Sequence, residues 1–119
     1  MQVGIDVGAT KIESVVLEDN GNETHRSRTA CPKDYFTIIN TIKDIYLKLE
    51  KEFKKELRIG VCHPGIHSPQ TGLVKNAPNC NFLEKKPFQN DLRKALGKEV
   101  FCENDANCFA LSESIDGSG

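Results

Sequence analysis

Within eight positions, Gly4-Ile5-Asp6-Val7-Gly8-Ala9-Thr10-Lys11 sets an acid, a small-residue turn, a hydroxyl and a cation one after another. Small residues let backbone N–H groups approach an anion. Asp6 can hold Mg2+ through water, and Thr10 or Lys11 can face phosphate oxygens. Phosphoryl transfer needs this set, because its catalysis is mostly positioning and charge stabilisation. The same residues also read as an ordinary hairpin with Lys11 on a solvated edge.

A second constellation is Glu103-Asn104-Asp105-Ala106-Asn107, at an expected strand-to-helix junction. A carboxylate there lies at the carboxyl end of a strand, where open α/β sheets place their ligands, and beside a helix N-terminus that keeps it ionised. Asp105 is therefore placed to take a proton from a substrate hydroxyl. Its alternative role is a helix cap. The third is the loop from His63 to Asn81, with Pro64-Gly65, Thr71-Gly72, Asn76, Asn79 and Asn81. Uncharged amides suit sugar hydroxyls, which need paired donors and acceptors rather than net charge. Asparagines satisfying their own loop backbone are the ordinary alternative, preferred for Asn76 and Asn81. His63 and His67 are four apart, but Pro64 and Gly65 between them exclude a helical metal pair, so each is expected to be structural or exposed.

These groups need elements to hold them. Gln2 to Val7 alternates weakly, Ile12 to Leu17 is a β-branched apolar run, and Glu23 to Ala30 is a polar alternating stretch after the turn signal Asp19-Asn20-Gly21. Three strands joined by tight turns follow. From Tyr35 to Phe53 apolar residues recur at three and four, which predicts an amphipathic helix of about five turns with Asp34 as N-cap. Leu57 to Cys62 reads as a buried strand, His63 to Gly72 as a loop, Phe88 to Leu96 as a helix closed by Gly97, and Glu99 to Glu103 as a fifth strand. A third helix is expected from Asn104 or Asp105 to about Ile115. The order βββαβαβα predicts an α/β domain, a mixed five-stranded sheet with helices on its faces, over residues 1–116 with a short tail at 117–119.

Composition narrows the function. Sixteen Lys and Arg against 17 Asp and Glu leave a net charge of -1, which disfavours a nucleic-acid polycation. Hydrophobic residues make up 38%, enough for a thin core, so such a domain is expected to need a neighbour over its remaining apolar surface. No apolar stretch approaches the roughly 20 residues of a membrane span, and no leader pattern precedes Val3. The five cysteines, odd in number and without a CxxC pair, argue against a disulfide framework or zinc knuckle. A cytoplasmic setting, with each cysteine a small buried hydrophobe, is the expectation.

Taken in order, Ile5-Asp6-Val7-Gly8-Ala9-Thr10-Lys11, Pro64-Gly65, Thr71-Gly72-Leu73-Val74-Lys75-Asn76-Ala77 and Glu103-Asn104-Asp105-Ala106-Asn107-Cys108 resemble the N-terminal half of a ROK-family sugar kinase. Among its members the motifs look most like bacterial fructokinases and mannokinases, with N-acetylglucosamine kinases slightly further off. The resemblance implies the actin-like ATPase (ribonuclease H-like) fold, with ATP bound between two domains. It implies Asp105 as general base, Gly65, Asn79 and Asn104 as sugar contacts, and Asp6, Gly8, Thr10 and Lys11 as the phosphate and magnesium loop. Ala9 stands where the family usually has a second glycine. The adenosine pocket and a structural zinc site are expected in a C-terminal domain beyond this chain. The stretch by itself is thus expected to be inactive and to pair, most simply as a homodimer, with a hexose, its own C-terminal domain and ATP with Mg2+ as partners of the whole enzyme. A non-catalytic sugar-binding regulator of the same family is the competing function.

Overall fold

The computed structural model describes residues 1–77 and 80–103 in full and the backbone of Asn104. The expected third helix, including Asp105, and the sugar-contact candidate Asn79 lie outside the described residues.

Three strands open the chain: β1 (Gln2–Val7), β2 (Lys11–Leu17) and β3 (Glu23–Ala30), paired antiparallel in sequence order. Val3, Ile5 and Val7 of β1 and Ile12, Ser14 and Val16 of β2 turn to one face and are buried, as period-two alternation requires. The β2–β3 turn uses the Asn20-Gly21 signal, but only Gly21 takes a positive φ, 87°, while the Asn20 side chain accepts from the Asn22 N–H. β3 has no apolar face and sits at the sheet edge, where its charges disfavour further pairing.

Helix α1 (Tyr35–Phe53) starts where Asp34 accepts from both the backbone N–H and the hydroxyl of Thr37, at 3.0 and 2.9 Å. Its stripe Tyr35, Ile38, Ile39, Ile42, Tyr46 and Leu49 is buried. The chain then enters β4 (Arg58–His63), parallel to β1, so α1 is the crossover that a parallel pair demands. A second crossover contains α2 (Phe88–Leu96), which ends at Gly97, φ 67°, and leads to β7 (Phe101–Asn104), parallel to β4. The resulting sheet order is β3-β2-β1-β4-β7. Both helices contribute to the single core formed with the inward residues of β1, β2 and β4.

The five-stranded mixed sheet matches the expectation. The segment after His63 does not: in place of a plain loop it forms a two-stranded ribbon, β5 (Ile66–His67) with β6 (Val74–Lys75), followed by a 3-10 turn at Asn81–Leu83. These elements are too short to show a period, and Val74 is tied down by bonds to the Lys85 and Lys86 backbone that no local pattern reveals. β7 also begins two residues later than expected.

One buried hydroxyl ties the end of α1 to the start of β4. Tyr46 Oη donates to the Leu57 carbonyl at 2.9 Å and accepts from the Leu57 N–H at 3.2 Å and the Lys98 ammonium at 2.7 Å. Tyr46→Phe takes away the acceptor of the Leu57 N–H, while the Leu57 carbonyl keeps the Lys98 ammonium, so it should cost about 1–3 kcal/mol. Urea unfolding should show a lower midpoint at an unchanged slope.

Candidate active site at the carboxyl ends of the parallel strands

Strands β1, β4 and β7 run in the same direction and lie side by side, so their carboxyl ends share one edge. Open α/β sheets bind ligands at this edge. On the face away from the core, register sets Arg28, Glu13, Asp6, Cys62 and Glu103 in one row across all five strands. Glu13 is neutralised by β3: it accepts from Arg26 and, at 3.0 Å, from Arg28. Asp6 is exposed beside it.

The turn from β1 to β2 carries Gly8, Ala9 and Thr10. The Gly8 N–H donates to the Lys11 carbonyl at 2.9 Å, and the Thr10 carbonyl accepts from Cys31 N–H at 2.8 Å, which pins the loop to the exit of β3. A Cβ on Gly8 would stand 3.2 Å from the Lys11 oxygen, so the tight turn favours glycine there. Ala9 is not among the residues with positive φ, so its Cβ costs no backbone strain. Thr10 and Lys11 are exposed. The exposed Asp6 carboxylate is a ligand suited to Mg2+, which keeps waters and takes one or two carboxylates plus phosphate oxygens, while Lys11 is suited to phosphate oxygens rather than to the ion. Among the described residues no group of three metal-ligating side chains converges, so Asp6 would share the ion with phosphates rather than complete a protein cage.

At the end of β4, Gly65 has φ 78°, and a Cβ would stand 2.5 Å from the Lys75 carbonyl oxygen. Only glycine fits where the chain crosses β6. His63 pairs across the ladder with Asn104, which immediately precedes Asp105 in sequence. The fold therefore brings Asp6, the Gly8–Lys11 turn, Pro64-Gly65 and the Asn104 backbone to one edge. Asn76 is exposed at φ 58°, and Asn81 is exposed in the 3-10 turn.

Two features were missed by reading the histidines and cysteines singly. The His63 and His67 rings meet edge to face at 4.8 Å, and His67 Nε2 accepts from the Gln89 N–H at 3.2 Å, capping the second residue of α2 from a distance. The signal was the inward register of His63 in β4. Cys31 and Cys102 are free thiols, with burial pushing Cys102 up to about 12, but Cys62 is disulfide-bonded. That corrects the expectation of five buried hydrophobes: an odd count excludes a complete framework, not a single bridge, and Cys62 lies on the sheet face away from the core.

The match to known families decides what this edge belongs to: residues 2–119 fit the model of the ROK family. The chain belongs to the ROK family. It is 40% identical over 117 residues to an N-acetyl-D-glucosamine kinase of Haemophilus influenzae, covering 98% of this chain and 38% of that protein. A corresponding enzyme of Vibrio cholerae is 38% identical over the same span. Among solved structures, the ROK hexokinase of Thermus thermophilus superimposes with a TM-score of 0.82 at 29% identity, over 97% of this chain and 38% of that one. A ROK glucokinase of Streptomyces griseus, solved with glucose and AMPPNP, gives a TM-score of 0.82 at 25% identity, over 98% of this chain and 36% of that one. The fold is thus the actin-like ATPase fold of ROK kinases, and this chain spans a little over a third of the relatives it matches. No helix among the described residues is long and apolar enough to cross a membrane.

The His67 cap makes stability pH-dependent. Burial, then the neighbouring His63 and Arg93, lower His67 from 6.5 to about 4. Between those values the unfolded chain binds more protons than the folded one, so stability is full above the window and declines as pH falls through it. His67→Gln keeps an acceptor but cannot titrate, and urea unfolding across this range should show a shallower decline in that variant. An unchanged slope contradicts the assignment.

Proposed function

We propose that the chain is the N-terminal domain, residues 1–116, of an ATP-dependent hexose kinase that moves the γ-phosphate of ATP to a sugar hydroxyl. The observation that carries this reading is the convergence of the Asp6 turn, Pro64-Gly65 and Asn104 at one sheet edge in a ROK-family chain. In it, Gly8 lets the turn approach the phosphates, Thr10 and Lys11 face their oxygens, and Asp6 holds Mg2+ through water. The ion, when bound, neutralises charge building on the transferred group. Gly65, Asn79 and Asn104 orient the hexose. Asp105 accepts the proton of the attacking hydroxyl as that oxygen bonds to the γ-phosphorus and the bond to the ADP oxygen breaks.

N-acetylglucosamine is the first sugar to test, because relatives at 37–40% identity are N-acetyl-D-glucosamine kinases. Fructose and mannose are the competing candidates, on the strength of the motifs. Adenosine contacts and the remaining sugar ligands are assigned to sequence outside this chain, which covers 38% of those relatives. The 119-residue chain alone is therefore expected to transfer no phosphate.

A coupled ADP-release assay on the intact protein with a hexose panel tests the reading. Asp105→Asn should lower kcat by at least about a hundredfold with sugar KM changed far less, as loss of a general base predicts. Near-normal turnover reduces Asp105 to a cap. Asp6→Ala should raise the requirement for Mg-ATP and leave hexose binding mostly intact. Loss of sugar binding with nucleotide binding kept, read by calorimetry, reverses the two sites.

A further inference from the structure

β4 delivers a histidine into the core, and none of the proposed chemistry uses it. His63 is 1% exposed, with its Nδ1 2.8 Å from the Pro64 carbonyl oxygen. A carbonyl only accepts, so Nδ1 carries the proton and donates. Burial lowers the imidazole's affinity for a second proton, against smaller opposing effects of the Pro64 bond and of Glu103 on β7. The ring is neutral, then, and Nε2 is a bare lone pair. Among the described residues this nitrogen meets no hydrogen-bond partner. The Phe88 ring of α2 packs edge to face at 5.5 Å, and the His67 ring does so at 4.8 Å.

An apolar side chain at position 63 would fill this volume without leaving a buried polar atom unpaired, a defect that is itself destabilising. What the imidazole adds is the donor at Nδ1. A peptide unit is planar, so holding the Pro64 oxygen also fixes the direction of the Gly65 N–H. Gly65 has no side chain to steer it, and its left-handed φ at the crossing with Lys75 is open to few other residues.

We propose that His63 is a positioning residue for sugar binding, orienting the Pro64–Gly65 peptide through the Pro64 carbonyl. This rests on the reading of Gly65 as a sugar contact. The support continues outward, since His67 braces the His63 ring while its own Nε2 is anchored on the N-terminal turn of α2. Sugar affinity is in this way coupled to the packing of α2 against the end of β4.

Paired substitutions separate a donor role from a packing role. His63→Asn keeps an N–H near the place of Nδ1 and loses ring volume. His63→Phe keeps ring volume and loses the donor. In the intact kinase, His63→Phe should raise hexose KM about tenfold, the scale of one buried hydrogen bond, with kcat and the KM for Mg-ATP within about twofold of wild type. His63→Asn should stay within about threefold of wild type in hexose KM. His63→Gln, whose amide reaches toward Nε2 instead, should behave like the Phe variant and replaces it if that protein does not fold. The opposite ranking, with Phe normal and Asn impaired, overturns the proposal and makes His63 a packing residue. If the wild type phosphorylates no hexose, the kinase reading fails and takes the sugar role with it, whereas a normal hexose KM for Phe beside an active wild type overturns the anchor alone. Nitrogen-15 NMR of the imidazole in the intact protein reads the anchor without any assay: a protonated Nδ1 with unprotonated Nε2 supports it, and the reverse tautomer overturns it.

Discussion

Parallel pairing of β4 between β1 and β7 is the constraint on which the rest of the structure depends. Antiparallel neighbours would send successive strand ends to opposite edges of the sheet. Here the pairs Asp6 with Cys62, Cys62 with Glu103, and His63 with Asn104 align three carboxyl ends. Each parallel pair needs a long return connection, and the two connections supply α1 and α2, whose apolar stripes complete the core. The edge that collects the functional groups and the helices that stabilise the domain are consequences of one topology.

The sheet divides its labour by face. Val3, Ile5, Val7, Ile12, Val16, Ile59 and Val61 are buried on the helix side. On the other side Asp6, Glu13 and Glu103 stand in a row, with Glu13 held by two arginines of β3. Polar β3, which contributes little to the core, thereby tempers negative charge next to Asp6. Ser14 and His63 are the buried polar residues among those described, and His63 is the one that can titrate. Its position at the last inward site of β4, under the turn that leaves the strand, lets a core residue act on the site above it.

Long periodic segments were legible in the sequence. The Asp34 cap and the spacing from Tyr35 to Phe53 gave α1 its limits, and Gly97 gave α2 its end, because caps and amphipathic stripes are local signals. The Asp6–Lys11 turn and Pro64-Gly65 were legible as motifs, and the fold places them together. The β5–β6 ribbon was not, since two-residue strands have no period and are held by backbone bonds to residues ten or so positions away. The His63–His67 contact was also invisible: spacing excluded a helical pair, but an edge-to-face meeting depends on how Pro64-Gly65 turns the chain back. Cys62 was misread because its burial was inferred from residue type, while its partner choice depends on tertiary placement.

The location of both ligands at this edge is the central claim, and chemical-shift mapping on the intact protein tests it most directly. Amide spectra recorded with N-acetylglucosamine and then with Mg-ADP should show the sugar perturbing Gly65 and its neighbours and the nucleotide perturbing Gly8 to Lys11. Shifts confined to the opposite end of the sheet, around Asp19, Arg58 and Lys98, with Gly8, Lys11 and Gly65 unmoved, would contradict the account.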